Sequence, residues 1–95
     1  METFEQWFEK DRAHKKAMEQ KNRELWVQVE AALQIAETKH PVFATSFDEG
    51  LMRVVEELGE IAQARNKSQG VVREKEEVLD LLCVVWRLAR EDYVS

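Results

Sequence analysis

Four acidic residues stand out by type and spacing. Glu57 and Glu60 lie three apart in Glu56-Glu57-Leu58-Gly59-Glu60, and Glu77 and Asp80 repeat that interval in Glu77-Val78-Leu79-Asp80. On a helix, residues three apart project side by side, with Cβ atoms about 5–6 Å apart. If two helices bearing these pairs pack antiparallel across a short loop, four carboxylates converge on one spot. Such charges cannot stay together in a low-dielectric site without compensation. A hard divalent cation is the natural partner. Mg²⁺ takes carboxylate oxygens at about 2.1 Å and keeps several waters, and Mn²⁺ is an acceptable substitute. A site of this kind can grip polyphosphate oxygens and activate water for attack on phosphorus. Asp80 adds weight, because it interrupts the apolar run Val78-Leu79-Asp80-Leu81-Leu82-Cys83-Val84-Val85-Trp86. A carboxylate buried there needs a partner. Arg87, two turns on, is the competing candidate, and an Asp80–Arg87 contact would be purely structural.

A polyphosphate also needs cationic groups. Arg65, Lys67, Arg73 and Lys75 flank the connector between the two acidic segments, and Arg87 shares the face of Asp80. Lys67, Arg73, Lys75 and Arg87 are the phosphate-binding candidates. Trp26, Phe43, Phe47 and Trp86 could stack on a base, although aromatics at helical spacing usually fill cores. His14 and His40 have no companion at metal-ligand spacing. Cys83 reads as an inert buried thiol. No Ser-His-Asp set, glycine-rich phosphate loop or zinc pattern is present.

These residues must be positioned by helices. The chain breaks at Thr38 to Ser46, which contains His40-Pro41, and at Asn66 to Gly70. Proline disfavours helical geometry in the residue before it, and the second break is polar and closed by glycine. Three helices are expected, over about 3–38, 47–66 and 72–92, in a single domain spanning 1–95. The first is amphipathic from Leu25 to Ala36, whereas Lys10 to Glu24 reads as a solvated charged face. It is either one long helix or two with a joint near Asn22. The second opens with Ser46 and Glu49, an S-x-x-E capping box, followed by a stripe of Leu51, Val54, Val55, Leu58, Ile61 and Ala62 that should be buried. Gly59 inside it costs about 1 kcal/mol against alanine, which close approach of another helix would explain. The third is apolar nearly all round from Val78 to Ala89, so it belongs at the centre of a bundle or in a subunit interface.

The pattern E-E-x-x-E followed by E-x-x-D resembles that of MazG-like nucleotide pyrophosphohydrolases, in the all-α NTP pyrophosphatase superfamily. The matching segments are LMRVVEELGEIAQA and EEVLDLLCVVWRLA, within Phe47 to Ala89. The resemblance implies an all-α helical bundle completed by oligomerisation, as a homodimer or homotetramer. It implies Mg²⁺-dependent hydrolysis of nucleoside triphosphates between the α and β phosphates, giving a monophosphate and pyrophosphate. Carried over, Glu57, Glu60, Glu77 and Asp80 are the metal ligands, and Glu56 either supports those ligands from behind or orients water. Family members often carry an Asn or Lys soon after E-x-x-D to hold phosphate; here Arg87 and Arg90 stand instead. Phosphoribosyl-ATP or dUTP hydrolysis on the same scaffold is the neighbouring alternative.

Composition sets the outer bounds. The chain has 95 residues, 19 acidic against 14 basic, for a net charge of −5. Glycine (3) and proline (1) are scarce and there is one cysteine. This suits helices and excludes a disulfide scaffold. The acidic balance argues against nucleic-acid binding. No apolar run approaches the ~20 residues of a membrane span, and the start of the chain lacks a signal-peptide core, so a cytoplasmic protein is expected. A chain this short buries a modest core, which favours an oligomer. The rival from another class is a non-enzymatic helical oligomerisation module.

Overall fold

A computed structural model describes residues 1–67 and 70–94. All its regular elements are helices: α1 (Phe4–Lys39), α2 (Phe47–Asn66) and α3 (Val71–Ala89). Ser68 and Gln69, inside the second break, lie outside the described residues. No described helix is long and apolar enough to cross a membrane.

Local chemistry explains the helix ends. Thr3 and Gln6 form a reciprocal capping box at the start of α1. At α2 the Ser46 hydroxyl accepts from the Glu49 N–H at 3.2 Å. The Glu49 carboxylate, however, accepts from the Thr45 hydroxyl at 2.9 Å rather than closing the box onto Ser46. Helix α3 stops at Ala89, three residues before the expected end, because Glu91 turns into the left-handed region at φ 56°. Helix α1 is continuous, with no joint at Asn22. Its 36 residues span about 54 Å at 1.5 Å per residue, which accounts for the 58 Å long dimension of the molecule.

Helices α2 and α3 form an antiparallel hairpin. Arg65 meets Glu74 at 3.3 Å near the connector, Glu60 sits beside Glu77, and Gly50 lies against Leu88 at the far end. A β-carbon at Gly50 would come 2.7 Å from Leu88 Cδ1 and 3.0 Å from Phe43 Cε2, so any larger residue would have to displace these side chains. Gly59 makes no such approach, and nothing lies near it. The second half of α1 packs on α3 through Val29, Leu33 and Cys83, with Ala32 and Leu79 beside them. The Trp26 and Trp86 rings meet at 4.8 Å. Helices α1 and α2 do not pack against each other.

That gap corrects the expectation of an α2 stripe buried within the chain, and it leaves uncovered part of α3, expected at a bundle centre or in a subunit interface. Leu51, Val55 and Leu58 on α2 are 43%, 53% and 56% exposed, so the stripe is not covered within one chain. Val78, Leu82, Val85 and Trp86 on α3 are also exposed. The accessible surface is 7619 Å², whereas a compact monomer of this mass would show about 5,700 Å². The excess is carried partly by these faces. The outer half of α1 contributes the rest: its charged face is solvated, and Phe4, Trp7 and Phe8 cluster in the open at its tip.

The C-terminal segment ties the elements together. Buried Arg87 donates to Asp92 at 2.8 Å and to the His40 carbonyl at 2.9 Å, and it lies over the Phe43 ring. The Val94 N–H donates to the Ala44 carbonyl at 2.9 Å, and Ala44 and Tyr93 form a lone parallel bridge. The linker between α1 and α2 is thereby fastened to the end of α3.

Candidate functional site

The hairpin brings three of the acidic residues together. Glu57 and Glu60 sit one turn apart on α2 and Glu77 faces them from α3, each offering an oxygen within 4.8 Å of the others. Glu77 is 2% exposed and Glu57 half-buried. Glu57 Oε2 and Glu77 Oε2 are both buried without a hydrogen-bond partner. Asp80, one turn after Glu77, is outside that tight set and more exposed, but its charge acts on both Glu57 and Glu77. Glu56 is outside the trio: it is exposed and pairs with Arg53 at 3.6 Å.

The electrostatics follow from this crowding. Burial pushes the Glu57 carboxyl up from 4.5 to about 7, and the charges of Glu60, Asp80 and Glu77 push the same way. Burial likewise raises Glu77, with Arg73 opposing and Asp80 and Glu60 reinforcing. Asp80 is raised by partial desolvation, against the lowering effect of Arg73. Glu60 lies within hydrogen-bonding reach of both Glu57 and Glu77. Carboxylates in such contact need a proton or a cation between them. Arg73 reaches Glu77 from one side and Glu76 at 3.3 Å, so it offsets only part of the charge. The remaining donor set is all oxygen, partly buried and partly unpartnered, which suits a hard divalent cation.

Beside the acids is a cavity of about 480 Å³ between the second half of α1, the linker and the α2–α3 hairpin. Glu56, Glu57 and Asp80 lie along one side, and Ile35, Val42, Phe43 and Val84 supply apolar wall. Buried Cys83 also borders it, and burial pushes its thiol up, in keeping with an inert group.

The cations expected to meet phosphate distribute unevenly. Arg87 lines the cavity, but its guanidinium is occupied by Asp92 and the linker carbonyls. It pairs with Asp92 rather than Asp80. Arg65 and Arg73 pair with glutamates of α3. Lys67 caps the end of α2 and Lys75 is exposed on α3, neither lining the cavity. Three residues that sequence reasoning did not select as site residues, Lys39, His40 and Arg53, do line it. Arg53 could have been found, since it sits one turn before Glu57; Lys39 belongs to no spacing pattern. Among the aromatic candidates, Phe43 alone lines the cavity, while Trp26 and Trp86 pack against each other with their rings tilted by 54° and Phe47 is exposed. Comparison of the chain with family models, curated proteins and solved structures finds no match in any of the three.

Proposed function

We propose that this protein is a Mg²⁺-dependent nucleoside triphosphate pyrophosphohydrolase of MazG type, working on cytoplasmic nucleotide pools. The observation that carries this reading is the trio Glu57, Glu60 and Glu77, with two buried carboxylate oxygens lacking any partner. Orphaned buried oxygens are costly, and their number and hardness fit Mg²⁺ or Mn²⁺. Glu57, Glu60 and Glu77 would hold the ion, with Asp80 alongside. When bound, the ion supplies charge neutralisation for the polyphosphate and polarises a water.

The chain's own residues supply the rest. The apolar wall of the cavity excludes water from one side of the nucleoside. The exposed Glu56 carboxylate, next to Glu57, accepts a hydrogen bond from the attacking water and takes its proton as oxygen bonds to the α phosphorus. The bond from that phosphorus to the α–β bridging oxygen breaks, and pyrophosphate leaves with the electron pair.

The uncovered apolar faces of α2 and α3 support assembly into a homodimer or homotetramer. They also favour the second reading, a helical oligomerisation module without catalysis. A screen of canonical and modified nucleoside triphosphates with Mg²⁺ separates the two. The hydrolase reading expects pyrophosphate and a monophosphate from at least one substrate. Release of orthophosphate instead, or no turnover of any of them, would overturn it.

A further inference from the structure

Three cationic side chains line the cavity beside the carboxylates: Lys39, Arg53 and Arg87. Arg87 is buried and bonded to Asp92 and the His40 carbonyl. Arg53 pairs with Glu56. Lys39 has no carboxylate within ion-pair distance among the described residues.

Resting on the hydrolase reading, we propose that Lys39 is the cation through which the cavity contacts the polyphosphate of its ligand. Its placement favours that role in two ways. It sits in the last turn of α1, where the helix dipole favours positive charge. The backbone just after it is anchored, because Arg87 donates to the His40 carbonyl at 2.9 Å and reaches toward that of Pro41. Lys39 thus extends from a fastened stretch of the cavity wall, whereas Lys67 and Lys75 do not line the cavity. A polyphosphate entering beside four acids brings more negative charge than one divalent ion offsets, and an ammonium without an ion-pair partner in the cavity lining supplies part of the balance.

The test uses the full chain with Lys39→Gln, Lys39→Arg and, as a charge control away from the cavity, Lys75→Gln. Steady-state kinetics use the nucleoside triphosphate turned over fastest, and titration calorimetry uses inorganic tripolyphosphate with Mg²⁺. Circular dichroism checks that helicity is kept. Loss of one charge-assisted hydrogen bond should raise KM and the tripolyphosphate Kd about tenfold or more in Lys39→Gln, with kcat within about threefold. Lys39→Arg should keep most of the affinity, and Lys75→Gln all of it. Equal affinity in Lys39→Gln and the parent, or equal losses in Lys39→Gln and Lys75→Gln, overturns the assignment. If no nucleotide is hydrolysed but tripolyphosphate binding still depends on Lys39, the hydrolase reading falls and the Lys39 assignment stands. If tripolyphosphate does not bind the parent and nothing is hydrolysed, both fall.

Discussion

Replacing Glu57 by Gln should stabilise the metal-free protein at alkaline pH, and the size of the gain can be worked out. In the unfolded chain the carboxyl ionises near 4.5, but in the folded chain near 7. Between those values the folded state binds more protons than the unfolded state. Stability therefore falls as pH rises from about 4.5 to about 7 and levels off above that. A displacement of this size corresponds to at most roughly 3 kcal/mol at 1.36 kcal/mol per tenfold. Glu57 is only half-buried, and solvent screening reduces this to about 1–2 kcal/mol. Glutamine keeps the shape and removes the charge. In EDTA, thermal unfolding followed by circular dichroism should show Glu57→Gln melting about 5–10 °C above the parent at about pH 8. The two should nearly coincide at about pH 5, where the parent carboxyl is protonated in the folded state. A variant that melts at or below the parent at the alkaline pH would refute the argument that crowded carboxylates strain this hairpin.

Three further outcomes are expected on the proposed reading of the site and its uncovered faces. Saturating Mg²⁺ or Mn²⁺, at a hundred times its Kd, should stabilise the parent by about 2.7 kcal/mol, and the gain should shrink sharply in Glu57→Gln and Glu77→Gln; equal gains in all three would remove the carboxylates from the binding site. Glu60→Gln and Asp80→Asn should each lower turnover at least about a hundredfold while circular dichroism stays unchanged; activity near that of the parent in both would dissolve the site assignment. Leu58→Asp should lower the mass measured by light scattering, since it places a charge in the apolar stripe of α2; an unchanged assembly would mean that this stripe is not where copies meet.

Sequence periodicity and capping chemistry located the helices closely: α2 spans the expected residues, and α1 and the start of α3 fall within one residue. The meeting of Glu57, Glu60 and Glu77 was legible because i,i+3 spacing and a short connector leave an antiparallel hairpin few ways to turn. Other features depend on contacts that periodicity does not encode. The α2 stripe looked like core, yet α1 packs on α3 and leaves it open. Gly59 looked like a close-packing glycine, but the close approach is at Gly50, where Leu88 arrives from almost forty residues away. Arg87 looked free to meet phosphate or Asp80. Its partners, Asp92 and the His40 carbonyl, are set by the turn at Glu91 and by the path of the linker. Lys39 had no neighbours in sequence to mark it; only the fold brings it near Asp80.

The clasp from Arg87 to the linker has a consequence for the order of assembly. The acidic trio joins residues about twenty apart, whereas Arg87 and the His40 carbonyl are separated by 47 positions. Short loops close before long ones. A partly folded chain should thus gather its crowded carboxylates before it owns a walled chamber, so early intermediates would already carry the repulsion within the trio while the linker still hangs loose.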